Sequence, residues 1–250
     1  MLAEERFKRI LDIVETQRSV TVQELVECLG ISESTIRRDL TALATQGLLN
    51  KVHGGATINQ MDFLSRDAAI AERRVLNLEA KDAIGREAAA MIKPDDFVFI
   101  DAGTSTEALI EHIVEKNAVF VTNSASHARR LAEKGCRIYI IGGELKSATQ
   151  AIVGEEAIQS LQKYHFTLGF FGTNGVRVKE GLTTPDVNEA LVKKEAMKHC
   201  RKKIVLCDSS KFQCIAPVAF SKFNEAVILT EKIPDKEWKK YNNVVEVNQQ

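Results

Sequence analysis

The run Ser32-Glu33-Ser34-Thr35-Ile36-Arg37-Arg38-Asp39-Leu40 sets hydroxyls and two adjacent guanidinium groups at the start of a strongly helical segment. Such groups, in the first turns of a helix lying in a DNA major groove, can meet phosphate oxygens and base edges. A second run, Asp101-Ala102-Gly103-Thr104-Ser105-Thr106-Glu107, follows an apolar stretch and enters a helix. Backbone amides and the positive end of the helix dipole favour an anion there, and phosphate is the natural guest. Three more polar runs follow apolar stretches: Thr122-Asn123-Ser124, Gly142-Gly143-Glu144 and Gly172-Thr173-Asn174-Gly175. Singly, each is ordinary strand-to-helix turn chemistry. Four in series at the carboxyl edge of one sheet predict a pocket. Farther on, Asp186 and Glu189 can accept hydrogen bonds from sugar hydroxyls, and Lys193 and Lys211 can pair with phosphate. Each alone serves equally well as a helix cap or surface charge; only proximity in the fold would add it to the pocket.

The elements that must position the first run are short helices. Phe7, Ile10, Leu11, Ile13 and Val14 form a helical apolar stripe. Thr21 reads as the N-cap of a second helix, with Glu24 completing a capping box. Leu25, Val26, Cys28 and Leu29 give that helix a buried face, and Gly30 ends it in a left-handed cap. Ser32 caps the third helix, whose stripe is Ile36, Leu40 and Leu43 and whose end is Gly47. Two strands, 48–53 and 56–58, flank the Gly54-Gly55 turn. Three helices and a hairpin make a winged helix-turn-helix over residues 1–58. Its expected DNA contacts are Thr21, Ser32, Ser34, Thr35, Arg37 and Arg38, with Lys51 and His53 on the hairpin. The first sixty residues hold seven Lys/Arg against eight Asp/Glu. Phosphate binding therefore rests on where the cations sit, not on bulk charge. Asp39 is expected to hold an arginine. The alternative is a winged helix used for protein contact, with Arg37 and Arg38 solvated.

Residues 59–74 read as a linker. A helix then runs through Ala80, Ile84, Ala88 and Met91 to a stop at Pro94. From Asp96 the grammar is strand and helix in alternation, with strands at 97–100, 119–121, 138–141, 167–172, 203–207, 226–230 and 243–247. That pattern predicts an α/β domain with a mostly parallel sheet over residues 75–250.

The chain has 250 residues, 44% of them apolar, and a formal net charge of zero. Bulk coating of nucleic acid or membrane is excluded on that balance. No run of apolar residues is long enough to span a bilayer, and the acidic start Met1-Leu2-Ala3-Glu4-Glu5 is unlike a secretory signal. A cytoplasmic protein is expected. The five cysteines, Cys28, Cys136, Cys200, Cys207 and Cys214, lack zinc-site spacing and read as small buried apolar groups. No metal or cofactor is expected.

The N-terminal unit resembles the DeoR family of bacterial transcription regulators. The likeness is carried by Arg6, Ile10 and Val14, by Ser32, Thr35, Ile36, Arg37, Arg38, Asp39 and Leu40, and by the wing residues Gly47-Leu48-Leu49 and Val52-His53-Gly54-Gly55-Ala56. It implies operon repression, with Ser34, Thr35, Arg37 and Arg38 at or near the DNA. From about Arg73 to about Ile233 the chain resembles the sugar-phosphate sensor domain of the same family. That domain is similar in fold to ribose-phosphate isomerases and glucosamine-phosphate deaminases. Residues 101–106 look like the phosphate loop, and Asp208-Ser209-Ser210-Lys211 looks like a late Asp-Ser-Lys segment of the isomerases. The isomerases carry acidic residues where this chain has Gly172-Thr173-Asn174-Gly175. An amide and a hydroxyl cannot serve as a carboxylate base, so binding without turnover is expected. Residues 171–176 and 181–186 are most similar to fructose-operon repressors, which implies fructose 1-phosphate as effector. The expected partners are a double-stranded operator, a sugar phosphate and further copies of the chain, as a dimer or tetramer, because symmetric operators need at least two heads. The alternatives are an activator, a repressor answering to a tagatose, galactitol or glycerol phosphate, and an isomerase-like enzyme with a regulatory head.

Overall fold

The computed structural model describes residues 3–17, 19–45, 48–52, 54–57 and 70–247. The chain divides into two compact units, Met1–Asp62 and Phe63–Gln250.

The first unit runs α1 (Ala3–Gln17), β1 (Ser19–Thr21), α2 (Val22–Leu29), α3 (Glu33–Thr45), β2 (Asn50–Val52) and β3 (Gly55–Thr57). Ile10, Leu25, Ile36, Leu40 and Leu43 are fully buried and share one core with Val14, Val20 and Leu49. The α2 cap is the expected box: Glu24 N donates to Thr21 Oγ1 at 3.2 Å and Thr21 N donates to Glu24 Oε2 at 2.7 Å. Gly30 closes α2 at φ +64°. Three details differ from expectation. Residues 19–21 form a third strand beside the expected two, and the sheet order is β1-β3-β2 with antiparallel pairs. Gly55 belongs to β3, not to the turn alone. A Cβ there would lie 2.2 Å from Val20 O, so only glycine lets β3 pass against β1. Cys28, placed on the buried face of α2, is exposed, because Val22 and Leu25 fill that position in the core. Gly47, His53 and Ile58 lie outside the described residues.

The second unit continues with α4 (Ile70–Val75), α5 (Leu78–Ala90), β4 (Phe97–Ile100), α6 (Thr104–His112), β5 (Val119–Thr122), α7 (Ala125–Glu133), β6 (Arg137–Ile140), β7 (Glu144–Leu145), β8 (Ile152–Val153) and α8 (Glu155–Leu161). It ends with β9 (Phe166–Gly172), β10 (Gly175–Arg177), β11 (Gly181–Thr184), α9 (Val187–Lys198), β12 (Cys200–Leu206), β13 (Val218–Ser221), β14 (Val227–Thr230) and β15 (Val244–Glu246). The seven expected strands build one sheet in the order β15-β14-β12-β9-β4-β5-β6, with every pair parallel. Alternation along the strands feeds two cores. Phe99, Phe171, Val205 and Ile228 pack with α8 and α9 through Ala157, Leu161, Val192 and Ala196. Val98, Ile100, Phe170 and Leu206 pack with α5, α6 and α7 through Ile84, Ala88, Leu109 and Leu131. The sheet is thus covered on both faces, as a parallel sheet requires.

Beyond the expected elements are the β7–β8 hairpin, the β10-β11-β13 sheet and α8. Helix α4 begins inside the stretch read as linker. Among the described residues no helix is long and apolar enough to cross a membrane. From β4 the chain moves outward to β5 and β6, then returns to place β9 on β4's other side. The carboxyl ends of β4 and β9 therefore flank a topological switch point, where open parallel sheets bind ligands.

Candidate functional site

In the first unit, the buried stripe of α3 forces its polar residues outward. Ser34, Arg37, Arg38 and Thr41 are exposed on the helix, and Ser32 and Lys51 are exposed beside it. Arg37 pairs with Glu33 one turn back, Nε to Oε1 at 2.8 Å. Lys51 Nζ on β2 donates to Thr41 Oγ1 at 2.7 Å, which brings the wing cation onto the α3 surface. Ser32 Oγ lies 2.9 Å from Thr35 Oγ1 and 3.2 Å from Ser34 Oγ, and Ser32 O accepts from Thr35 N and Ile36 N, so Ser32 starts the helix as expected. Thr21 Oγ1 is held in the α2 cap. Asp39 is buried and takes a two-pronged ion pair from Arg6 of α1, which holds the guanidinium in its charged form. That pair fixes α3 against α1 and leaves Arg37 and Arg38 facing solvent. His53 lies outside the described residues.

In the second unit, a narrow cleft opens at the switch point between β4 and β9. Its walls include Gly103, Thr104 and Ser105 after β4, Thr173 and Asn174 after β9, Glu189 and Lys193 on α9, and Lys211 after β12. Gly103 is the N-cap of α6 and no side chain caps that helix, so its first amides face the cleft with the dipole behind them. Lys193 is buried and pairs with the equally buried Asp101; its Nζ also donates to Gly172 O at 3.2 Å. Gly172 N donates to Asp101 Oδ2 at 3.1 Å, so one carboxylate ties the β4 loop to the β9 loop. Burial lifts the Asp101 carboxyl above its ordinary value, against the pull of Lys193. Beneath the loop His127 is almost fully enclosed, close to the Gly103 backbone. Burial, with Arg130 and Arg74 nearby, pushes it down to about 3, so it stays neutral.

Other expected residues are used as supports. Thr106 Oγ1 donates to Asp101 O at 2.6 Å. Asn123 Oδ1 accepts from Ala102 N at 2.8 Å, and Ser124 caps α7. These three are buried under the cleft, not in its wall. Asp186 caps α9 and pairs with Lys146 at 3.1 Å. Burial raises its carboxyl, but the Glu189 amide and Lys146 outweigh that and hold it below its ordinary value. Glu189 accepts from Thr149 Oγ1 at 2.5 Å and from Lys146 at 3.2 Å. Gly142, Gly143 and Glu144 are exposed and do not line the cleft. They follow β6, the edge strand, three strands from β9. Of the four polar runs, those after β4 and β9 form the wall and the one after β5 braces it.

The cleft also uses residues that the sequence reading did not assign to it. Arg73, Leu76 and Asn77 come from the end of α4 and the turn after it, Lys81 from α5, and Asp208 from the end of β12. Asn77 Nδ2 donates to Asp208 Oδ1 at 2.9 Å. Lys81 is buried and its ammonium lies below its ordinary value. Burial is the main cause, Asp208 opposes it, and Lys211 and Arg73 add to it. One signal was available: Lys81 falls on the same helical face as Ile84 and Ala88, where a lysine is out of place unless it has a task. A wider hollow of about 1110 Å³ lies over α5 and α6, lined by Ala80, Ala83, Ala90 and Ala108 and by the Asp82–Arg86 pair. It is a helix-surface groove without the convergence of strand ends and cations that marks the narrow cleft.

Comparisons with known proteins place these two units in one family. The DeoR-like helix-turn-helix domain matches residues 6–62, and the DeoR C terminal sensor domain matches residues 76–232. The Bacillus subtilis (strain 168) protein titled "Uncharacterized HTH-type transcriptional regulator FruR" is 38% identical over 92% of this chain and 91% of its own. A "Lactose phosphotransferase system repressor" of Streptococcus mutans is 34% identical over 94% of this chain and 93% of its own. A solved ribose 5 phosphate isomerase A from Neisseria gonorrhoeae covers 53% of this chain and 52% of its own at 14% identity and a TM-score of 0.41, a slight likeness that adds nothing to the strand order. With both of its domains matched in order and relatives aligned nearly end to end, the chain belongs to the DeoR family of transcription regulators.

Proposed function

We propose that this regulator is a cytoplasmic repressor of a sugar-catabolic operon. Its head, residues 1–58, grips a double-stranded operator through α3 and the wing. A phosphorylated sugar bound in the switch-point cleft releases it. The observation that carries this reading is the convergence of Arg73, Lys81, Lys193 and Lys211 on the uncapped start of α6. Cations gathered at one helix start favour an anion, and Asp208, Glu189 and Asn174 beside them can accept sugar hydroxyls. Likeness to two relatives, a lactose phosphotransferase system repressor and a regulator called FruR, supports a repressor answering to a phosphorylated sugar. Fructose 1-phosphate is the effector we assign, bound without turnover by a dimer or tetramer. The ligand acts by binding the DNA-competent and DNA-incompetent arrangements unequally.

The test is a thermal-shift screen of the full chain against fructose 1-phosphate, tagatose 6-phosphate, galactitol 1-phosphate and glycerol 3-phosphate. It is paired with operator binding in the presence of each and an assay for isomerised product. A binder raises the melting temperature by mass action. The expected result is a rise with fructose 1-phosphate, weaker operator binding and no product. Response to free sugars alone would overturn the phosphate assignment. Tighter operator binding would make the protein a co-repressed or activating regulator, and product formation would make it an enzyme.

A further inference from the structure

We propose that Arg73 is a direct contact for the anionic group of the effector, and that α4 is the wall that shifts when the ligand enters and so carries the signal toward the head. This rests on the cleft being the sugar-phosphate site. Arg73 lines the cleft together with the start of α6, and its Nε is buried with no hydrogen-bond partner among the described residues. A buried guanidinium nitrogen left unsatisfied is costly, and an incoming phosphate oxygen would satisfy it with a charge-assisted bond.

The cleft holds only about 50 Å³ of open space. Sites that enclose small organic ligands run to about 300–1,000 Å³, so a sugar phosphate can enter only if a wall moves. Three walls belong to the sheet, to α6 and to α9, which are packed into the two large cores. The fourth is α4 and the turn after it, where Val75 and Leu76 are exposed, as is Leu78 at the start of α5. Three polar links hold this segment: Lys81 Nζ donates to Arg73 O, Arg74 Nε donates to Glu107 Oε2 at 2.8 Å, and Asn77 Nδ2 donates to Asp208 Oδ1 at 2.9 Å. All three partners stand at the cleft or on its α6 wall. Between α4 and α5 the chain turns through Asn77 at φ +52°, a left-handed conformation that asparagine tolerates better than most residues. An anion drawing on Arg73 and Lys81 competes with the first link, and movement of α4 strains the second. Helix α4 is the first described element of the second unit, and the residues before it lead in sequence to the head.

The experiment uses the full-length protein, fructose 1-phosphate, tagatose 6-phosphate, glycerol 3-phosphate and inorganic phosphate as probes, and a duplex selected for binding by the wild type. Ligand affinity and the ratio of DNA affinities without and with ligand are measured for Arg73→Met, Arg73→Lys, Arg74→Met and Ser105→Asp. Arg73→Met should weaken the best sugar phosphate by about ten-fold or more, as loss of one charge-assisted bond implies, with Arg73→Lys in between. Arg74→Met should keep the ligand affinity within about three-fold and shrink the DNA-affinity ratio by about five-fold or more, the size of a typical coupling. Ser105→Asp puts a like charge at the anion seat while suiting the start of a helix, and should abolish ligand binding. Arg73→Met and Arg73→Lys binding like the wild type while Ser105→Asp does not would overturn the role of Arg73. An unchanged ratio in Arg74→Met would overturn the role of α4. Ser105→Asp binding like the wild type, or no probe bound by the wild type, would instead bring down the cleft reading itself.

Discussion

Asp101 and Lys193 have side-chain exposures of only 2% and 5%, so Asp101→Asn strips the counter-charge from an ammonium that solvent barely reaches. Removing one member of a buried ion pair costs about 3–5 kcal/mol. The lower end applies here, because Lys193 keeps Gly172 O and the asparagine oxygen can still accept from Gly172 N. About 3 kcal/mol in a unit of this size corresponds to a fall in melting temperature of about 6–12 °C. The single tryptophan of the chain, Trp238, is buried in the second unit, so its fluorescence reports that unit alone. A saturating anionic ligand restores the missing counter-charge, so Asp101→Asn should gain more from ligand than the wild type does. The double variant Asp101→Asn/Lys193→Met removes the orphan charge and should recover much of the loss, a clear departure from additivity. A melting temperature for Asp101→Asn within about 2 °C of the wild type, or a double variant that melts as the sum of its singles, would refute the view of Lys193 as a buried charge held by its partner.

Three further outcomes follow from the same geometry. Arg37→Ala/Arg38→Ala should weaken operator binding and lower the slope of log affinity against log salt by about 1–2, measured by titration at several salt concentrations; an unchanged slope would mean these arginines meet no phosphate. His127, held at about 3 when folded, lies below the unfolded value of 6.5, so the unfolded chain binds the extra proton. Stability of the second unit should therefore fall by about 1.4 kcal/mol per unit as pH drops below 6.5, and urea titrations of His127→Gln should show a shallower decline. Gly85 on α5 meets α6 so closely that a Cβ would lie 2.7 Å from the Ala108 carbonyl carbon. Gly85→Val should cost about 1–3 kcal/mol through overpacking and weaken ligand binding by displacing the start of α6, seen in the Trp238 melt and in calorimetry.

How much could be read from the chain depended on the range of the interactions involved. The Thr21–Glu24 box, the Gly30 cap, the α3 stripe and the seven apolar strands were legible because each rests on residues a few positions apart. The polar runs after strands were equally legible as candidates, since turn chemistry and helix starts are local. Their fates were not. Whether a run meets the cleft depends on its strand's place in the sheet, and strand order is set by packing between residues tens of positions apart. Gly142-Gly143-Glu144 follows the edge strand and stays outside; Asn123 and Ser124 follow an inner strand and are spent on bracing.

The amino-acid sequence by itself determined that there would be a winged head and a parallel α/β body, because hydrophobic period, caps and turns act within one element. The tertiary structure alone decided that Asp101 would clasp Lys193 across ninety-two positions, and that Arg73 and Asn77, from a stretch that looks like a linker and its exit, would close the cleft beside Lys81. The physical reason is that a charge becomes a binding group only when the fold buries it beside others, and burial is a property of the packed chain, not of its local pattern.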